Sequence, residues 1–135
     1  MHQVLDQDGL RIVFPDDCGN APKKMLLRDF NIAFARDDVA FILDNLDEEI
    51  CWNMVGDRRI EGIEKVKEVL HQMTNGPRVK ELHLHNIITH GKTGAANGIL
   101  IFESGKQISF CDVYRFSSAG KNAKISEMTS YVIAI

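Results

Sequence analysis

Asp112 is the residue of this sequence whose surroundings most clearly suggest chemistry. It lies in the stretch FCDVYRF, residues 110–116, where alternate side chains point to opposite faces if the stretch forms a β-strand. Asp112 then shares a face with Phe110, Tyr114 and Phe116. A carboxylate on an apolar face finds hydrogen-bond partners, keeps a proton because its pKa is raised, or lines a cavity. We therefore predict that Asp112 is the catalytic or ligand-binding acid.

Mostly aromatic side chains are candidates for a pocket around this acid. Trp52 shares a predicted strand face with Ile50 and Met54, so it can form a cavity wall or simply pack in the core. With Asp112, the hydrogen-bonding groups of Asn97, Tyr114 and Tyr131, on or near apolar strands, could orient a small, mostly apolar ligand. In the alternative, Tyr131 and Asp112 satisfy each other or nearby backbone groups in a closed polar network without a ligand. The predicted ligand-binding residues are Trp52, Phe30, Phe34, Asn97, Phe110, Tyr114 and Tyr131.

Two histidines offer a competing site. His83 and His85 alternate with Leu82 and Leu84, so both rings point to one face of a predicted strand, where they could bind a divalent metal or act as a base. No motif supplies a further ligand, so we predict no metal site. In the alternative interpretation the two histidines face solvent or a dimer partner, and the leucines and Ile88 point inward.

The composition excludes several classes of function. With 135 residues and 44% hydrophobic content, the chain suits one domain. A net charge of -3 without basic clusters predicts neither nucleic acid nor a membrane as partner. Cys18, Cys51 and Cys111 lack disulfide or zinc-ligand spacing, which favours a reduced, cytoplasmic setting. No phosphate loop or dinucleotide fingerprint is present, so we expect no cofactor.

The elements that must position these residues follow from periodicity. Residues 1–21 predict an N-terminal arm or a short hairpin with its corner at Asp8-Gly9, and residues 22–135 the main domain. A first helix is expected to be capped by Asn20 and to end near Arg36, and a second to be capped by Asp37 or Asp38. A strand over 48–55, a linker over 58–62 and a third helix from Ile63 to Met73 follow. Four long strands come last, over 79–90, 95–103, 106–116 and 124–135.

This order of elements and several strings resemble the nuclear transport factor 2-like (NTF2-like) superfamily, also called the SnoaL-like or cystatin-like fold. The strings are FNIAFARDDVAFILDNLDEEICWNMVG, RRIEG, FCDVYRF and AGKNAKISEMTSYVI, within residues 22–135. The resemblance implies an α+β cone, with three N-terminal helices packed on a strongly curved, mostly antiparallel sheet. It also implies a pocket inside the cone and a homodimer formed through the outer face of the sheet.

The fold hosts many activities, so the residues decide among them. Ketosteroid isomerases of this superfamily use an acid at the position of Asp112, but their tyrosine and base match Phe30 and Asn53, which cannot serve those roles. Epoxide hydrolases use an Asp-Arg-Asp set, which fails here because Asp112 and Arg115 point to opposite faces. For SnoaL-type cyclases Asp112 would suffice as the central group.

The expected function is therefore binding of a small apolar or aromatic metabolite. It could extend to cofactor-free acid/base catalysis, of cyclase, isomerase or dehydratase type, at a carbon adjacent to a carbonyl. The alternative is a non-catalytic homodimerisation or ligand-sensing module. The segment Gly56-Asp57-Arg58-Arg59 could clamp an anionic group at the pocket mouth, or form a solvated turn.

Overall fold

Strands and helices are described over residues 2–16 and 21–135 of this computed structural model. The strands in chain order are β1 (His2–Gln7), β2 (Leu10–Pro15), β3 (Leu46–Met54), β4 (Arg58–Glu61), β5 (Val79–His90), β6 (Thr93–Phe102), β7 (Gln107–Phe116) and β8 (Ile125–Ala134). The helices are α1 (Pro22–Arg36), α2 (Val39–Asp44) and α3 (Ile63–Met73). The predicted cap Asn20 and the cysteine Cys18 lie outside the described residues.

The described strands form one curled sheet in the order β1-β2-β5-β6-β7-β8-β3-β4. Neighbouring strands are antiparallel except for β2 with β5 and β3 with β8, which are parallel. The predicted α+β class and the mostly antiparallel sheet are confirmed. The description of three N-terminal helices is inaccurate, since α3 follows β3 and β4.

Short, charged β4 lies where the sequence predicts a linker. It has one buried residue, Ile60, which pairs with Trp52 of β3, and its other side chains are exposed. An edge strand of four residues with a single apolar side chain has almost no period-two signal. The hydrogen bonds to β3, and not the local sequence, therefore define it.

The four long strands lie within one or two residues of their predicted bounds, but β5 contains an irregularity. Its register to β6 shifts between Leu84 and Asn86, as in a β-bulge. One extra residue reverses the alternation of faces beyond that point. Leu82 and Leu84 point into the core as predicted, while beyond the bulge Ile87 is buried and Ile88 is exposed. The prediction that Ile88 points inward is therefore wrong.

The amino-terminal residues form the hairpin that was one of the two predictions for this segment. Strands β1 and β2 are antiparallel, and Asp8 and Gly9 at the turn both have positive φ, as a tight two-residue hairpin requires. Strand β2 also pairs with β5, where Ile12 lies opposite Leu82. The hairpin thus extends the same sheet, and the division of the chain into an arm and a domain stays a prediction.

Helix α1 lies on the concave face of the sheet because its apolar side chains pack against the inner face of the strands. Its buried residues include Leu27, Phe30 and Ala33. It ends near Arg36 as predicted, and Asp38 caps α2 by accepting a hydrogen bond from the Phe41 backbone N–H at 3.2 Å. The core therefore lies between these helices and the inner face of the sheet.

Candidate functional site

A cavity of about 500 Å³ opens on the concave face of the sheet. Its walls are mostly apolar and come from α1, α3 and the five strands β3, β5, β6, β7 and β8. They include Phe34, Trp52, Met54, Met73, Phe110 and Met128. The mouth is formed by exposed residues, among them Val55 and Asp57 after β3 and Val132 on β8. The inner end, which we call the cavity floor, carries the polar side chains of Asn31, Asp112 and Ser130.

Strand register places Asp112 on the cavity floor. In the sheet Asp112 lies opposite Ala96 of β6 and Ser130 of β8, and cross-strand partners share a face. The side chain is partly buried and lines the cavity. The predicted orientation of Asp112 toward the apolar face is therefore correct.

Tyr114 and Asn31 hold one side of the carboxylate. The Tyr114 hydroxyl donates to Asp112 Oδ2 at 3.3 Å and accepts from Asn31 Nδ2 at 3.1 Å. Asn31 Nδ2 also donates to the backbone carbonyl of Leu27 at 2.8 Å, one turn earlier on α1. Because a backbone carbonyl only accepts, this bond fixes which end of the Asn31 amide carries the nitrogen. Asn31 Oδ1 consequently points away from both partners.

Ser130 and Trp52 hold the other side. Trp52 Nε1 donates to Ser130 Oγ at 3.0 Å, and Ser130 lies opposite Asp112 in the sheet, so its hydroxyl faces the carboxylate. The Trp52 ring packs edge-on against Phe34, with ring centroids 5.6 Å apart. Trp52 thus connects β3 to β8 through a hydrogen bond and to α1 through an aromatic contact. Its position on the cavity wall agrees with the sequence prediction.

The surroundings of Asp112 shift its acidity. Burial raises the pKa of its carboxyl from 3.8 to about 6, and the hydrogen bonds from Ser130 and Tyr114 oppose part of this rise. Burial and the neighbouring Asp112 charge raise the pKa of Tyr114 well above 10, so its hydroxyl keeps its proton. Asp112 is therefore mostly ionised at pH 7 but can accept a proton readily.

The structure brings most of the predicted pocket residues together. Phe34, Trp52 and Phe110 line the cavity. Tyr114 lies behind it, fully buried, and contributes through its hydrogen bond to Asp112. Phe30 is also fully buried, packs edge-on against Phe34 and Tyr114, and does not reach the cavity. These two residues support the wall and do not form it.

Two predicted pocket residues are on the opposite face of the sheet. Asn97 and Tyr131 both pair with Cys111, whose side chain points away from that of Asp112. Asn97 accepts a hydrogen bond from Asn86 at 3.0 Å, and Tyr131 is 47% exposed. Their predicted position beside Asp112 is wrong, because on β6 and β8 it is Ala96 and Ser130 that share its face. No closed Tyr131–Asp112 network exists.

Asn31 and Ser130 are the floor residues that the sequence analysis missed. Asn31 adjoins the apolar stripe of α1, one residue after Phe30, where a polar side chain is normally assigned to the solvated face. Ser130 alternates with Met128 and Val132 on β8, so its period-two position was the available signal.

The other candidate groups lie outside the cavity. His83 is paired with Glu81, with 2.9 Å between Nε2 and Oε1, and His85 is exposed. Neither histidine lines the cavity, and within residues 2–16 and 21–135 no three potential metal ligands cluster. Arg115 forms an ion pair with Glu127 at 3.0 Å on the face opposite Asp112. None of the described helices combines the length and apolar character needed to cross a membrane.

The two arginines of the segment 56–59, which could have clamped an anionic group at the mouth, do not line the cavity. Of the segment 56–59, Gly56 and Asp57 line the mouth, but Arg58 and Arg59 do not. Arg59 pairs with Glu61 at 3.3 Å, and both arginines are exposed.

Comparisons with known proteins agree with this architecture. The SnoaL-like domain model matches residues 27–128. An NTF2-like protein of unknown function from Burkholderia xenovorans superposes with a TM-score of 0.69 at 15% identity, over 82% of each chain. One from Cytophaga hutchinsonii gives 0.62 at 24% identity, over 81% of this chain and 97% of that chain. The similarities to these two structures show the fold alone.

An enzyme is also among the similar structures. An LEH-like epoxide hydrolase from M. tuberculosis superposes with a TM-score of 0.66 at 20% identity, over 81% of this chain and 80% of that chain. Among curated proteins nothing matches this sequence.

The raised pKa of Asp112 predicts a specific pH dependence of stability. Because the folded protein binds this proton more tightly than the unfolded chain does, the free energy of unfolding falls as pH rises from about 4 to about 6. A pKa difference of about two units corresponds to a contribution of up to about 3 kcal/mol. Urea denaturation of wild type and Asp112→Asn between pH 4 and pH 7 gives the free energy of unfolding of each protein. As pH rises, the free energy of unfolding of the variant should increase relative to that of wild type. A difference between the two that stays constant with pH would contradict the raised pKa.

Proposed function

We propose that this chain, which belongs to the SnoaL-like domain family, binds a small, mostly apolar organic ligand in the cavity, with Asp112 as its polar centre. The observation that carries the proposal is a cavity of about 500 Å³ with one partly buried carboxylate at its inner end. Pockets of this size with apolar walls and few convergent polar groups are typical of small-molecule sites.

The cavity walls suit a ligand whose skeleton is apolar. Met54, Met73 and Met128 supply flexible thioether side chains, which adapt to irregular apolar shapes. Trp52 and Phe34 supply flat surfaces that their mutual edge-on contact holds in place. An aromatic or alicyclic skeleton fits this combination.

Acid/base catalysis without a cofactor is the chemistry that this floor supports best. A carboxylate with a pKa of about 6 is mostly ionised at neutral pH and still basic enough to take a proton. In the proposed step Asp112 takes a hydrogen from a carbon next to a carbonyl, the C–H electron pair moves toward the carbonyl oxygen, and the protonated Asp112 returns the proton at another position. An epoxide hydrolase is among the proteins of similar fold, which supports the proposal that this fold can house an enzyme.

The alternative proposal is a non-catalytic module that senses a ligand or only dimerises. An apolar outer face of the sheet favours dimerisation. We define the outer face by Ile88, Val113, Tyr131 and Ile133, which are between 44% and 66% exposed. Exposed apolar groups that are contiguous across strands mark interaction surfaces. A second copy of this chain, meeting it sheet to sheet, is the proposed partner.

Blocking the cavity tests ligand binding. A metabolite library is screened for compounds that raise the melting temperature, since a ligand that binds only the folded state stabilises it by mass action. Val132→Trp places a large ring at the mouth and should abolish the shift of any hit. The matched control is Val4→Trp, at a residue of β1 with similar exposure, 52% against 55%. Hits whose shifts survive Val132→Trp, or no hits in the library, would contradict the proposal.

Proton abstraction is tested with the hits that contain a carbonyl. In D₂O the wild type should catalyse exchange of the hydrogen next to the carbonyl, followed by proton NMR. Asp112→Asn should slow that exchange by roughly 100-fold or more, the usual contribution of a general base. Binding that persists in Asp112→Asn without any catalysed exchange in wild type would favour the sensing module over the enzyme.

Dimerisation is tested through the outer face. Ile133 is 66% exposed, and Ile133→Lys places a charge on the outer face. Light scattering after size exclusion should give twice the monomer mass for wild type and the monomer mass for this variant. Val4→Lys is the control, because β1 lies at the far edge of the sheet. A monomeric wild type at micromolar concentration would contradict this proposal and leave the cavity proposal untouched.

A further inference from the structure

The cavity floor presents hydrogen-bond acceptors and no unused donors. Both hydrogens of Asn31 Nδ2 are used, one on the Leu27 carbonyl and one on Tyr114. The Tyr114 and Ser130 hydroxyls are directed at Asp112, and the Trp52 N–H is directed at Ser130. Every donor of the floor therefore already faces a protein acceptor.

The acceptors, in contrast, are only partly used. Asn31 is 6% exposed and lines the cavity, and no described donor bonds its Oδ1. No buried polar side-chain atom of the described residues is both sealed from solvent and unpartnered, so this oxygen is open to the cavity. A carboxylate has about four acceptor sites, and Asp112 faces two hydroxyls, of which Tyr114 donates to it at 3.3 Å.

The charges around the cavity have one sign. Asp112 lies at the floor and Asp57 at the mouth, while none of the described residues that line the cavity is lysine, arginine or histidine. Arg58 lies opposite Met54 across the β3–β4 pair, but it is exposed and outside the lining. An anionic head group would lose its hydration without gaining a cationic partner, and it would face two carboxylates. Both effects are costly in a partly buried site.

We infer that the ligand of this cavity is an apolar molecule that carries a hydrogen-bond donor, a hydroxyl or an ammonium group, and no negative charge. The donor meets Asn31 Oδ1 and the free lone pairs of Asp112. This inference rests on the proposed function, and the proposed chemistry requires a carbonyl on the same ligand. Once Asp112 has taken a proton it becomes a donor, and it can then hydrogen-bond the oxygen that receives the electron pair.

A series built on one naphthalene skeleton tests the inference. The probes are 2-naphthylmethylamine, 2-naphthalenemethanol, 2-methylnaphthalene and 2-naphthoate, titrated against wild type by calorimetry at pH 7.5. The amine and the alcohol should bind at least about tenfold more tightly than the hydrocarbon, since a hydrogen bond to a charged group contributes about 1.5 kcal/mol or more. The carboxylate should bind more weakly than the hydrocarbon.

Variants identify the groups responsible. Asp112→Asn should reduce the advantage of the amine over the hydrocarbon and improve binding of the carboxylate. Asp44→Asn is the matched control, because Asp44 is exposed at the end of α2 and does not line the cavity. Arg58→Gln should leave all four affinities unchanged.

The outcomes separate this inference from the proposed function. If the carboxylate binds as tightly as the amine, or loses its binding in Arg58→Gln, the acceptor-only floor is refuted while the cavity is still a ligand site. Equal affinity for all four probes also refutes it, since the head group would not be recognised. If none of the probes binds, the inference fails, and the metabolite screen on Val132→Trp decides the proposed function separately.

Discussion

A single desolvated carboxylate, stabilised by neutral hydroxyl groups, is the constraint on which the site depends. An ion pair would stabilise Asp112 more strongly, but it would lower the pKa and place a bulky cation in the cavity. Tyr114 and Ser130 donate to the carboxylate without neutralising it, so burial still raises the pKa to about 6. The protein thereby keeps a charge that is both accessible and basic, at a cost in stability near neutral pH.

These two hydroxyls are themselves oriented by side chains from other elements. Asn31 on α1 holds Tyr114, and Trp52 on β3 holds Ser130. The aromatic contacts of Phe34 with Phe30 and with Trp52 then tie α1 to the same network. The geometry of one carboxylate is consequently set by packing among α1, β3, β7 and β8, which rigid side chains in a dense core can maintain. Helix α1 therefore helps to position an acid that lies on a strand.

The sequence was sufficient for features that depend on periodicity within one element. The alternation in FCDVYRF placed Asp112 on the inner face, and the stripe of α1 turned both Phe30 and Phe34 inward, where Phe34 lines the cavity and Phe30 packs behind it. It was insufficient where the outcome depends on pairing between elements. Asn97 and Tyr131 look like pocket residues until the register shows that both lie opposite Cys111. The bulge in β5 and the short edge strand β4 are likewise created by cross-strand hydrogen bonds, which no local pattern reports.

Period two has a further consequence for function, because one strand carries both proposed surfaces. On β8, Ser130 and Val132 line the cavity while Tyr131 and Ile133 form part of the outer face. On β7, Asp112 points inward and Val113 outward. Adjacent residues therefore belong to different sites, so a change at one position acts on the cavity and a change at the next acts on the outer surface. The strands β7 and β8 are the physical connection between ligand binding and association, since neither site can shift its backbone without moving residues of the other.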